Sequence, residues 1–217
     1  MKLSARTLQI LKNFATINPS LLFKPGSSLT TISPLKTMQA KAKVSETFDS
    51  EFAIFDLSRF IGVLSLFEDP EIEVDDKFLS IVKDAHKVNY VYADKDLIVT
   101  SSREIKMPKC EIEFNLTGAN FSAVMKALNV LSLPEVAVIG ENGSMYFAAL
   151  NTKTPNGDVY RVHVGETEHT FKMVFRAENM KLLQDEYEVR ISAKGLGHFK
   201  GSDVEYWIAT EASSTFA

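Results

Sequence analysis

Four groups of residues in this 217-residue chain could do chemistry: an acidic run, the histidines and the single cysteine, a glycine-rich stretch, and a set of lysines and arginines. The run Glu68-Asp-Pro-Glu-Ile-Glu-Val-Asp-Asp76 could hold a divalent cation for phosphodiester cleavage. Its alternation instead puts Ile72 and Val74 on one face of a strand and the acids on the other, which favours a solvated strand edge. His86, His163, His169 and His198 show no metal-ligand spacing, and Cys110 has no Cys or His neighbour. The glycines of Gly195-Leu-Gly197-His-Phe-Lys-Gly201 miss both the dinucleotide and the Walker spacing and read as a strand turn. No catalytic, metal or cofactor site is assigned, and the chain is read as a non-enzyme.

The basic residues are distributed less evenly. Lys2, Arg6 and Lys12 stand in the first 18 residues with no carboxylate, although the chain has 24 basic and 28 acidic side chains. At 100° per residue, Leu3, Ile10, Leu11, Phe14 and Ile17 share one half of a helical wheel, and the polar and basic residues share the other. Ser4 is the expected N-cap and Asn18-Pro19 the stop.

Three later segments keep this spacing without gaps: 53–64, 114–125 and 173–184. In each, an apolar residue (Leu3, Phe55, Leu116, Phe175) is followed five positions on by Leu8, Phe60, Phe121 or Met180, then by Leu11, Val63, Val124 or Leu183. The cap position holds Ser4, Asp56, Thr117 and, exceptionally, Arg176. The expected helices (1–18, 57–67, 118–131, 176–184) carry Lys2, Arg6, Lys12, Arg59, Lys126, Arg176 and Lys181 against Glu178 alone, which leaves +6 on the helices and −10 elsewhere.

Between the helices, Glu71–Asp75, Cys110–Phe114 and Tyr187–Ile191 alternate as half-buried strands, and Asn142-Gly143 and Asn156-Gly157 predict hairpins. The expected architecture is α+β: two similar domains, 1–92 and 110–217, joined by a polar connector 93–109, each with two helices packed on antiparallel sheet. The lone cysteine fits a reducing compartment, and no apolar run is long enough to cross a membrane. The tail 213–217 is expected to fray.

A cationic helix face on an acidic protein suits a polyanion bound without sequence readout, duplex DNA foremost; the plain alternative is an ordinary solvated face. Four helices at ~9–10 Å spacing enclose a circle only ~12 Å across, whereas twelve enclose ~35 Å, so three chains could surround a duplex where one could not.

Leu11-Lys-Asn-Phe-Ala-Thr-Ile-Asn18, Ala53-Ile-Phe-Asp-Leu57 through Leu64-Ser-Leu66, and Glu205-Tyr-Trp-Ile-Ala-Thr-Glu-Ala212 resemble the DNA polymerase sliding clamps of T-even-type bacteriophages. The resemblance runs end to end, more loosely through 70–110 and 140–205. It implies the DNA clamp fold in a homotrimeric ring of six domains that encircles duplex DNA. It further implies tethering of the replicative polymerase, placement by an ATP-driven clamp loader, a role with late-transcription factors, and the cytoplasm of the infected host.

Lys2, Arg6, Lys12, Arg59, Lys126 and Lys181 would face DNA, and Leu97, Ile98 and Val99 of the connector would help receive partner peptides. Tyr90-Val91-Tyr92 departs from the family's Trp-Pro pair before the connector. Apart from the resemblance, the rival readings are a β-rich interaction or virion assembly protein and a metal-dependent nuclease.

Overall fold

The computed structural model describes residues 1–101, 104–154 and 156–217, so Ser102 and Arg103 of the expected connector lie outside the described residues. The chain forms two compact units, Met1–Glu104 and Ile105–Ala217.

The first unit runs α1 (Ala5–Ile17), β1 (Leu21–Phe23), β2 (Gly26–Ile32), β3 (Met38–Phe48), β4 (Phe52–Ile54), α2 (Leu57–Leu64), β5 (Glu71–Val74), β6 (Phe78–Lys83) and β7 (His86–Val91), then a 3-10 turn at Lys95–Leu97. β1 pairs with β4, β2 with β3, and β5-β6-β7 form a meander, all antiparallel. Ile10, Leu11, Phe14 and Ile17 of α1 are buried, as the wheel predicts. At ~1.5–3 kcal/mol per large apolar side chain removed from water, this stripe decides which way the helix faces. Phe23 stacks on Phe52 with centroids 4.5 Å apart, and Phe60 of α2 meets Tyr90 of β7 edge-on at 5.3 Å.

The terminus is tied down. The Met1 ammonium donates to the Ile72 carbonyl at 2.6 Å, and Ile72 N–H donates to the Met1 carbonyl at 2.7 Å. The acidic run forms β5 with Ile72 buried and Glu71 and Glu73 exposed.

The second unit runs β8 (Ile112–Leu116), α3 (Gly118–Val130), β9 (Glu135–Glu141), β10 (Ser144–Leu150), β11 (Tyr160–Glu166), β12 (Phe171–Arg176), a 3-10 turn at Ala177–Asn179, then β13 (Tyr187–Ser192), β14 (Leu196–Lys200), β15 (Val204–Ala209) and β16 (Thr215–Phe216). Its strands pair in the orders β11-β10-β9-β12-β16 and β15-β14-β13-β8. Phe121 of α3 packs against Phe147 and Tyr187 in the core. Asn142 and Gly143 both have positive φ (51° and 83°), the backbone of a two-residue type I′ turn between β9 and β10. Gly195, with φ of 94° and its N–H donating to the Ser192 carbonyl at 3.0 Å, makes the strand turn expected of the glycine stretch, while Gly197 lies within β14, where a Cβ would lie 2.8 Å from the Phe175 ring.

Three expectations are corrected. The fourth helix does not form: after Arg176 the chain makes a three-residue 3-10 turn with no side-chain cap. Met180, Leu182 and Leu183 are buried along an irregular path, the Leu183 N–H donating to the Tyr206 hydroxyl and the Tyr187 hydroxyl to the Leu183 carbonyl. The one copy of the repeat without a cap oxygen is the one without a helix, because a short helix with four unsatisfied N–H groups yields when tertiary partners bind its backbone instead.

Asn156-Gly157 does not make a tight hairpin, since β10 and β11 are linked by residues 151–159. The Asn151 side chain accepts from Lys153 N–H at 3.0 Å, and the Glu135 carboxylate binds Thr152 N–H at 2.6 Å, turning the chain earlier.

The tail is paired rather than frayed. β16 adds to β12, Phe216 stacks on Phe171 at 5.9 Å, and Ala217 N–H donates to the Thr170 carbonyl at 2.9 Å.

Candidate nucleic-acid interface

Each of the three α-helices among the described residues begins on the predicted cap. Ser4 Oγ accepts from Thr7 N–H at 3.2 Å, Asp56 Oδ1 from Arg59 N–H at 2.8 Å, and Thr117 Oγ1 from Asn120 N–H at 3.2 Å. Within these helices the charged residues are Arg6, Lys12, Arg59 and Lys126, so the helices carry +4 and the rest of the chain −8. Lys12, Arg59 and Lys126 are exposed and Arg6 partly so. Lys126 lies opposite the buried stripe of Phe121, Val124 and Leu128.

The six expected DNA-facing residues are not equivalent. The Arg6 guanidinium donates to Gln9 Oε1 at 2.8 Å, and Arg59 lies 6.0 Å from the Tyr90 ring centroid, which orients it without neutralising it. Lys2 is held by Asp69 at 2.6 Å, a hydrogen bond and charge that raise its pKa, so its charge is already answered. Lys181 is exposed but follows a turn instead of riding on a helix. Arg176, counted among the helical cations, pairs with Glu211 at 2.9 Å and Glu178 at 3.3 Å.

In the connector, Leu97 is 70% and Val99 43% exposed, whereas Ile98 is buried and anchors the segment. Lys95 reaches Glu51 at 3.3 Å.

Sequence reasoning missed two features. One is a groove of about 330 Å³ between α1 and α2, lined by Leu3, Leu8, Ile61, Phe67 and Ile72 with Lys12 on its rim. Leu8, outside the helix's buried stripe, was its one legible sign. The other is Glu46 of β3, 9% exposed, whose carboxylate accepts from Ser4 N–H and the Thr7 hydroxyl at the start of α1. Burial pushes the Glu46 carboxyl up, but the bonds from Thr7 and Ser4 outweigh it and hold it below the usual range.

Because its folded pKa is depressed, Glu46 stabilises the fold above the unfolded carboxyl value of ~4.3, and the contribution is lost as pH falls through the folded value. Glu46→Gln is expected to cost about 1–2 kcal/mol at pH 7 in urea unfolding. The gap from the parent chain should narrow below about pH 4. An equal gap at pH 3.5 would contradict this role.

His198 Nε2 lies 2.9 Å from Glu205 Oε2, and its ring stacks on Trp207 at 4.9 Å. Burial lowers its pKa despite Glu205. The Cys110 thiol is pushed up by burial, the opposite of what a reactive nucleophile requires.

Two family profiles match: DNA polymerase processivity factor over residues 2–102, and gp45 sliding clamp, C terminal, over 113–212. The sliding clamp of Vibrio phage KVP40 is 31% identical over 221 residues, covering 98% of this chain and 100% of that one. That of Enterobacteria phage T4 is 29% identical, covering 99% of each. Among solved structures, a proliferating cell nuclear antigen from Thermococcus kodakaraensis superposes with a TM-score of 0.73 at 16% identity, covering 97% of this chain and 99% of that one. A Helicobacter pylori beta clamp bound to a DNA ligase peptide gives 0.71 at 14% identity, covering 98% of this chain and 65% of that one. The fold is therefore the two-domain DNA clamp fold.

Proposed function

This chain belongs to the phage sliding-clamp family of DNA polymerase processivity factors, and from that premise we propose that three copies close into a ring around duplex DNA and tether the replicative polymerase to it. The observation that carries the reading is the separation of charge: among the described residues, three helices with four cations and no acid, in a chain of net charge −4. Arg6, Lys12, Arg59 and Lys126 form the lining, touching phosphates transiently so that the ring slides and no base edge is read. Lys2 and Lys181 contribute less, the first because Asp69 holds it and the second because it is off the helices. Three copies of the three described helices at ~9–10 Å spacing already span ~27 Å before the three uncapped 176–184 segments are added.

The ring would close through sheet edges. Among the described strands of three or more residues, only β7 and β11 have no buried residue; each ends its sheet and carries an exposed apolar side chain, Val91 on β7 and Tyr160 on β11. Pairing β7 of one chain with β11 of the next satisfies both edges. Partner peptides, from the polymerase, an ATP-driven clamp loader and late-transcription factors, would dock at Leu97 and Val99 over the buried Ile98. The chain itself turns over neither ATP nor DNA and works in the host cytoplasm.

Sedimentation across a dilution series tests the assembly. Three times the 24.2 kDa chain mass is expected at micromolar concentration, falling on dilution. A monomer at every concentration would remove the ring's geometric basis.

A further inference from the structure

Asn18 is 2% exposed and closes α1 as its C-cap. Its amide nitrogen donates to the Ile32 carbonyl at 2.8 Å, at the end of β2, and to the Val99 carbonyl at 3.0 Å, in the connector. Its amide oxygen accepts from Ser20 N–H at 2.9 Å and the Ser20 hydroxyl at 3.1 Å. One side chain thus spends both donors on two distant segments and both acceptor positions on the chain just after the helix, the full capacity of an amide. A second buried amide works beside it: Gln39 of β3, 6% exposed, accepts from the Ser101 hydroxyl at 2.8 Å.

We infer that Asn18 is the positioning residue for the connector: with Gln39 it pins the backbone at residues 99 and 101, so that Ile98 turns inward and Leu97 and Val99 are held outward for a partner. The inference rests on the docking role given above to Leu97 and Val99. The ion pairs at this segment hold it less firmly. The Lys95–Glu51 and Lys41–Glu104 pairs (3.3 and 3.8 Å) join exposed side chains, and such pairs hold geometry weakly. A buried amide holds geometry firmly, because releasing the Val99 carbonyl leaves a buried donor unpaired. The arrangement also links the end of a DNA-facing helix to the segment that meets partners, through one side chain.

The test compares Asn18→Ala, Ser101→Ala and Ser20→Ala in the full chain by amide hydrogen exchange and by primer extension with the cognate polymerase and loader. Asn18→Ala should raise exchange in residues 94–101 at least tenfold while amides 8–14 of α1 change less than threefold. The clamp concentration for half-maximal synthesis should rise about tenfold, with the rate at saturating clamp unchanged. Ser101→Ala, which leaves α1 untouched, should move both readouts in the same direction by a smaller factor. Ser20→Ala, which spares both bonds from the Asn18 nitrogen, should move neither.

Uniformly faster exchange through residues 1–101 would overturn the inference by making Asn18 an ordinary stability residue. Faster exchange at 94–101 with unchanged half-saturation would overturn the partner-presenting role. If the unsubstituted chain failed to stimulate the polymerase, the clamp reading would fail instead, a result visible before any variant is compared.

Discussion

Lys12→Glu combined with Lys126→Glu is expected to cut clamp-dependent DNA synthesis by at least tenfold at low salt, while single alanine substitutions at either position cost about two- to threefold. Both side chains are exposed, and Lys126 points directly away from its helix's buried stripe, so neither change disturbs the core. Glutamate does more harm than alanine because it adds repulsion where alanine only removes attraction. In a ring, every such change is present three times along the same duplex. The defect should be equal on unrelated templates, since no base is read, and should shrink to a few-fold near 0.3 M salt as the Debye length falls to about 5 Å. Primer extension on two templates at two salt concentrations measures all of this. A loss confined to one template would mean that these lysines recognise sequence.

The second large effect concerns the edges. Val91→Asp and Tyr160→Asp should each raise the concentration at which half the chains are trimeric by at least tenfold, a hundredfold change in the trimer dissociation constant and so about 0.9 kcal/mol for each of the three interfaces. A carboxylate at a paired sheet edge loses water without gaining a partner. Val91 is 71% exposed in the single chain, so Val91→Asp should leave its unfolding midpoint nearly unchanged, whereas Tyr160, at 38%, also loses packing within its own chain. Trimers of undiminished strength in both variants would place the interface elsewhere.

Much of this site was legible in the sequence because helix caps are local. Ser4, Asp56 and Thr117 each bind an N–H three residues on, and the three helices start where those oxygens are. Arg176 was the visible exception, and its segment is where apolar spacing alone misled: Met180 and Leu183 sit at helical intervals, yet they are buried on a path set by Tyr206 and Tyr187. Tyr187 is only four positions on, but Tyr206 is 23 away on another strand, beyond the reach of any local pattern. The same limit hid the state of Lys2, whose partner Asp69 is 67 positions away, and the part played by Glu46, 39 positions from Thr7. Asn18 was readable as a stop signal but not as a tether, because its two acceptors are backbone carbonyls, which carry no side-chain signature.

The central claim is topological: the protein stays on DNA by enclosing it and not by gripping it. Retention should therefore depend on whether the DNA has ends. The direct measurement loads the chain onto a nicked circle with its cognate loader and ATP, removes free protein by gel filtration at moderate salt, and then cuts the circle once with a restriction enzyme. The protein should remain with the circle and leave promptly once ends exist, although every phosphate it touched is still present. Equal retention on circular and linear DNA would contradict the account and make the cationic helices an ordinary binding surface.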